Sequence, residues 1–132
     1  MTIELTLLGC TLILAIVQIM LASTARTRET GTAYNAGPRD QPGPPEGILA
    51  GRLRRAQENL LQTLPLFIAA VLMLTLLQHE RPMSLYGACI YFAARVLYIP
   101  LYAMGIPMWR SLVWVASMVG LLMVLAAAML PA

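Results

Sequence analysis

The chain has 132 residues, 59% of them hydrophobic and only 11% charged, with a net charge of +3 and a mean hydropathy of +0.73. It is too apolar for a soluble domain and too short for more than one domain. All nine basic residues are arginine, and no basic patch interleaved with aromatics appears, so the charge excess marks membrane orientation and not a nucleic-acid partner.

Four stretches are long enough to cross a hydrocarbon core of about 30 Å, which takes about 20 helical residues. Backbone groups cannot stay unpaired in lipid, and nothing alternates with period two for long, so an all-α integral membrane four-helix bundle is predicted. The first span covers about 3–23. It lacks a basic leading region and carries Glu4, so it is read as a retained helix and not a signal peptide. Residues 25–47 form the only long polar segment. Its core from Tyr34 to Gly47 is dense in Gly and Pro, which predicts an ordered loop over a membrane-facing cavity.

The second span runs over about 48–77, with Pro65 loosening the turn before it. Gln78-His79-Glu80-Arg81 is a tight connection, and Pro82 suits the first turn of the third span, about 82–103. Pro100 predicts a kink near its end. Met104-Gly105-Ile106 makes the next turn, and Pro107 opens the fourth span, about 107–130. Cys10 and Cys89 form no CxxC and read as free buried thiols. His79, the only histidine, reads as a solvated loop residue, and no metal site is expected.

Six arginines lie between Arg26 and Arg55, and Arg95 and Arg110 flank the last turn on the same side. Only Arg81 lies opposite. The positive-inside rule then places the 25–47 loop and the last turn in the cytoplasm and both termini outside.

Two polar, hydrogen-bonding stripes stand out in the otherwise apolar spans. At about 100° per residue, Arg52, Arg55, Asn59 and Gln62 fall within an arc of roughly 80°, with Glu58 flanking. Tyr91, Arg95, Tyr98 and Tyr102 fall within roughly 60° on the third span. A charge at mid-bilayer depth costs at least about 2.5–3.5 kcal/mol, so such stripes face each other or a wet cavity. Arg26, Arg28 and Arg54 read as headgroup contacts, Tyr91 as a packed aromatic, and Glu58 as an ion-pair partner for an arginine. The remaining groups suit a small ligand bearing carboxylates: guanidinium forks for the acid groups, Asn59 and Gln62 for amides, Tyr98 and Tyr102 as donors. Arg110 and Ser111 open the fourth span, where free backbone amides add positive potential. Ionising a ligand thiol at pH 7 takes a drop of about 2 pKa units, roughly 2.7 kcal/mol, within reach of one guanidinium and a hydroxyl.

The run Arg52-Leu53-Arg54-Arg55-Ala56-Gln57-Glu58-Asn59-Leu60-Leu61-Gln62-Thr63-Leu64-Pro65-Leu66-Phe67 resembles the RxxRAxxNxxE…PxF signature of the MAPEG family, the membrane-associated proteins of eicosanoid and glutathione metabolism. Its details are most similar to the leukotriene C4 synthase branch. Arg95 to Tyr102 resembles the family's RxxYxxxY, and Arg110-Ser111 resembles an Arg-Ser pair of the prostaglandin E synthase branch. Gly37 to Asp40 is similar to bacterial members. The resemblance implies a homotrimer in the lipid bilayer, in a bacterial inner membrane with the site facing the cytoplasm. It implies glutathione as co-substrate at the subunit seams, held by Arg52, Arg55, Asn59, Gln62, Arg95, Tyr98 and Tyr102. Arg110 would stabilise the thiolate, together with Ser111. A glutathione-dependent transferase or peroxidase acting on lipophilic electrophiles follows. Gln62 departs from the family's acidic residue, which weakens the hold on an ammonium group. That departure keeps a second expectation open, a non-catalytic lipid-binding or accessory protein on the same scaffold. A small four-helix drug exporter fits less well, because its one candidate membrane carboxylate, Glu4, lies at the edge of the first span.

Overall fold

The computed structural model describes residues 1–131. It contains five helices, α1 (Ile3–Thr30), α2 (Thr32–Ala36), α3 (Ile48–Leu77), α4 (Pro82–Ala103) and α5 (Pro107–Met129), and no strand among the described residues. All but α2 are long and apolar enough to cross a membrane. Around the bundle α1 packs on α3, α3 on α5, α5 on α4 and α4 back on α1, with α3 and α4 also touching across the middle.

The core follows from which residues each helix turns inward. On α1 the buried positions are Glu4, Leu8, Thr11, Ala15, Gln18 and Ala22. Their alternating steps of four and three make a narrow seam along one side. Leu60, Phe67, Val71, Leu74, Ala88, Tyr91 and Val124 fill the centre, each fully buried. Tyr91 stacks on Phe67 with ring centroids 4.0 Å apart and shares a 2.9 Å hydrogen bond with Thr63, so the packed-aromatic reading of Tyr91 stands. The α4–α5 contact is the most extensive in the bundle. Gly87 and Gly120 face each other there, so that a Cβ on either would lie 2.6–2.7 Å from the other's carbonyl oxygen. Small residues allow this close approach, the common device of membrane helices.

One boundary differs from the sequence reading. α1 does not stop near residue 23 but continues to Thr30, where Gly31 at φ 87° ends it. Residues 24–30 contain no Gly or Pro, and Arg26 pairs with Glu29 one turn later at 2.9 Å, so nothing in the polar extension interrupts the helix. Pro65 and Pro100 lie inside α3 and α4 without ending them.

Residues 31–47 are ordered against the end of α1. Glu29 accepts from the Gly47 backbone N–H at 2.9 Å, Arg26 donates to the Pro44 carbonyl, and the Tyr34 hydroxyl donates to the Gln41 carbonyl at 2.8 Å. At the opposite end of the bundle His79 is no simple solvated loop residue. Its Nδ1 lies 2.9 Å from the Ala128 carbonyl, and Arg81 donates to the carbonyls of Leu130 and Pro131. These side chains satisfy acceptors that the end of α5 leaves without intrahelical partners. Beside them the Ser84 hydroxyl lies 2.6 Å from the buried Glu4 carboxyl, tying α1 to α4. Cys89 is exposed on α4, and Cys10 is half-buried; both are free thiols.

Candidate functional site

The beginning of α3, the end of α4 and the beginning of α5 meet at one level of the bundle. Gly105, at φ 72°, turns the chain between α4 and α5, and the space a Cβ would take there is filled by the Arg52 guanidinium 2.6 Å away. Only glycine combines that conformation with that approach. Arg52 also donates to the Ala103 carbonyl at 3.2 Å, a favourable place for a cation because the helix end carries partial negative charge.

Arg52, Arg55, Tyr102, Gly105, Pro107 and Arg110 enclose a cavity of about 220 Å³. Tyr102 organises it. The Arg55 Nε donates to the Tyr102 hydroxyl at 3.1 Å, which leaves the hydroxyl's own proton free to be donated onward. The Arg110 guanidinium lies 4.7 Å from the Tyr102 ring centre, and that of Arg55 5.8 Å. Both distances are within cation–π range, so the ring's negative face offsets part of the cost of gathering two cations there.

Behind the cavity lies a second, drier layer. Arg95 is 1% exposed. Its Nη2 donates to the Asn59 Oδ1 at 2.9 Å, and its guanidinium sits 4.6 Å from the Tyr98 ring centre. Its Nε and Nη1 are buried and have no hydrogen-bond partner among the described residues. Tyr98 in turn packs edge-on against Tyr102, centroids 5.5 Å apart. The two layers are thus one continuous stack from Asn59 and Arg95 through Tyr98 and Tyr102 to Arg55 and Arg110.

The structure therefore brings together Arg52, Arg55, Tyr102 and Arg110 at the cavity, with Asn59, Arg95 and Tyr98 directly behind. It does not bring Gln62 or Ser111 there. Gln62 is exposed on α3, two turns past Arg55 on the same stripe. Ser111 is exposed, donates to the Pro107 carbonyl at 3.1 Å, and faces a separate apolar groove with Met108, Leu112 and Val115. Glu58 is an arginine's ion-pair partner, but the arginine is Arg54, at 2.8 Å, which also binds Glu46 at 2.9 Å on the outer side of α3. The 31–47 loop contributes no residue to the cavity wall. Gly105 and Pro107, read from the sequence only as a turn and a helix start, are lining residues.

Four membrane-capable helices, three of which meet at a guanidinium–phenol pocket, define the class: an integral, multi-pass membrane protein with an arginine-lined cavity at one end of the bundle. The model of the MAPEG family matches residues 5–130, nearly the whole chain, and the chain belongs to that family. A search of curated proteins gave no match.

Proposed function

We propose that this chain is a glutathione-dependent membrane transferase or peroxidase for lipophilic electrophiles that reach it from the bilayer. The observation that carries the reading is the convergence of Arg52, Arg55, Tyr102 and Arg110 on one cavity, with no carboxylate in its wall. Membership of a family whose proteins act in glutathione metabolism supports it. Glutathione supplies a thiol whose sulfur, once ionised, is the nucleophile or reductant.

The chain's own groups fit the acidic ends of such a ligand. Arg55 and Arg52 present forked donors suited to a carboxylate. Tyr102 has a hydroxyl proton to give, and Arg110 holds positive charge where a thiolate would gain from it. The cavity is smaller than the ~300–1,000 Å³ of pockets that enclose a whole ligand. A tripeptide would extend beyond it, across the exposed face of α3 where Arg55 and Gln62 lie. We take that open side as the seam of a homotrimer, with the neighbouring subunit closing the site. The arginine distribution supports a cytoplasmic orientation, and the resemblance of Gly37 to Asp40 to bacterial members supports a bacterial inner membrane.

The test is conjugation of an aryl halide by the purified protein in detergent with glutathione, wild type against Arg110→Ala. The reading expects conjugation by the wild type and at least a tenfold loss of turnover in the variant. Equal turnover refutes the role of Arg110. Intact assembly with no glutathione binding favours the accessory, lipid-binding reading, which the outward turn of Ser111 also accommodates.

A further inference from the structure

The first turn of α3 sets a carboxylate beside one of the cavity arginines. Gly51 is buried on that turn, and the point a Cβ would take there lies 3.0 Å from the Arg55 Nη1 and 3.2 Å from the Glu46 Oε1. Two groups of opposite charge thus flank one small gap, which a glycine keeps clear. Arg55 offers its Nη end to that gap because its Nε donates to the Tyr102 hydroxyl. Glu46 directly precedes Gly47, the N-cap of α3, and both its oxygens accept from the Arg54 Nε, at 2.9 and 3.0 Å. Its carboxylate is therefore anchored by α3 and not by the contacts of the loop with α1. A carboxylate has about four acceptor positions, so this single donor leaves room for another. Arg54 also donates to Glu58 at 2.8 Å. Two carboxylates on one guanidinium leave the three groups with a net charge of −1, next to the positive wall of the cavity.

We infer that Glu46 receives the ammonium of a ligand's α-amino-acid end while Arg55 takes the carboxylate on the same carbon. An α-amino acid carries opposite charges on one carbon, and a guanidinium and a carboxylate across one gap match that pair. A ligand with the carboxylate alone meets Arg55 but is repelled by Glu46. The inference deepens the proposed function, since it rests on the cavity being the co-substrate site. The γ-glutamyl end of glutathione then lies at the start of α3, and its thiol and second carboxylate extend toward Arg52, Tyr102 and Arg110. Glu46 gives the ammonium the charged partner that Gln62, an amide farther along α3, does not supply.

The experiment titrates the full-length protein in neutral detergent by calorimetry with two probes. One is glutathione. The other is glutaryl-cysteinylglycine, the same skeleton with the α-ammonium replaced by hydrogen. Wild type is expected to bind glutathione roughly two- to fivefold more tightly, the scale of a partly exposed ion pair. Glu46→Gln, which keeps the size and removes the charge, should abolish that preference by weakening glutathione alone. The affinity of the analogue, unchanged or higher in the variant, reports an intact site. Glu58→Gln takes a carboxylate from the same three groups without touching the gap over Gly51, and should keep the preference. Equal or tighter binding of the analogue by wild type overturns the inference and leaves the proposed function standing. So does a preference that survives Glu46→Gln, an equal weakening of both thiols in that variant, or an equal loss of preference in Glu58→Gln. If wild type binds neither thiol, the proposed function and the inference fall together.

Discussion

Arg95 is the residue with most at stake in the fold. Its guanidinium is enclosed and keeps one hydrogen bond to protein, from Nη2 to Asn59. Asn59→Leu removes that acceptor, and an unpaired buried donor costs about 1–3 kcal/mol. Thermal unfolding in detergent should therefore drop by several degrees. Asn59→Asp should do the reverse, because a carboxylate at the same distance compensates a buried cation; a lower midpoint for the aspartate than for wild type would show that Arg95 is already balanced by groups outside this chain. At this scale the helical wheel read well where it asked which face a residue occupies. It placed Arg55, Asn59, Arg95, Tyr98 and Tyr102 on two faces, and the fold stacks them against each other. It could not decide among neighbours. Arg110 and Ser111 adjoin in sequence and so point about 100° apart, and only one can face a given cavity. Gln62 shares the stripe of Arg55 but sits two turns beyond the point where α4 ends and α5 begins, so nothing opposite it forms a wall.

Among the elements, the α4–α5 crossing depends on backbone contact. Gly87→Ala and Gly120→Ala each put a Cβ under 3.0 Å from a main-chain atom of the facing helix. Helices must separate to admit it, at a cost of about 1–3 kcal/mol. Both variants should lower the unfolding midpoint, with Gly9→Ala, which has open space around it, as the neutral control. The loop offers a contrasting test. Glu29→Ala releases both Arg26 and the Gly47 N–H, so limited proteolysis within residues 37–46 should accelerate while ligand affinity stays unchanged, because no loop residue lines the cavity. A fall in affinity would mean that the loop closes over the site. The four long helices were legible from span length and hydropathy alone, and Pro82 and Pro107 marked two of their starts correctly. The polar end of α1 was not, since hydropathy measures where lipid stops and not where the helix does. The expected cover of the cavity by the 25–47 loop failed for a related reason. Gly and Pro density predicts a turn-rich path, but the ion pair of Arg26 with Glu29 and the hydrogen bonds around it decide which surface the path follows.

For the molecule as a whole, the distribution of exposed side chains sets the frame. Leu12, Ile13, Ile16 and Met20 on α1, Leu66 and Leu72 on α3, and Leu112, Val115 and Leu122 on α5 face outward. A water-soluble bundle would not tolerate that surface, whereas a bilayer or further copies of the chain cover it. Apart from the enclosed Arg95, charge is segregated toward the two ends, with the arginine-lined cavity at the end that carries most of the cations. That division was readable from the sequence, because arginine positions and span boundaries need no tertiary information. The closeness of the cavity arginines was not, because it arises where three helix ends meet around Gly105. The most direct test of the central claim, that this cavity is the binding site, is a calorimetric titration of glutathione into wild type, Arg55→Ala, Arg110→Ala and Arg39→Ala. Losing a charge-assisted contact costs about 1.5–3 kcal/mol, so the first two variants should bind at least tenfold more weakly, while Arg39→Ala, whose guanidinium is bonded within the loop to the Asn35 carbonyl, matches wild type. Unchanged affinity in both cavity variants, or an equal loss in all three, would contradict the account.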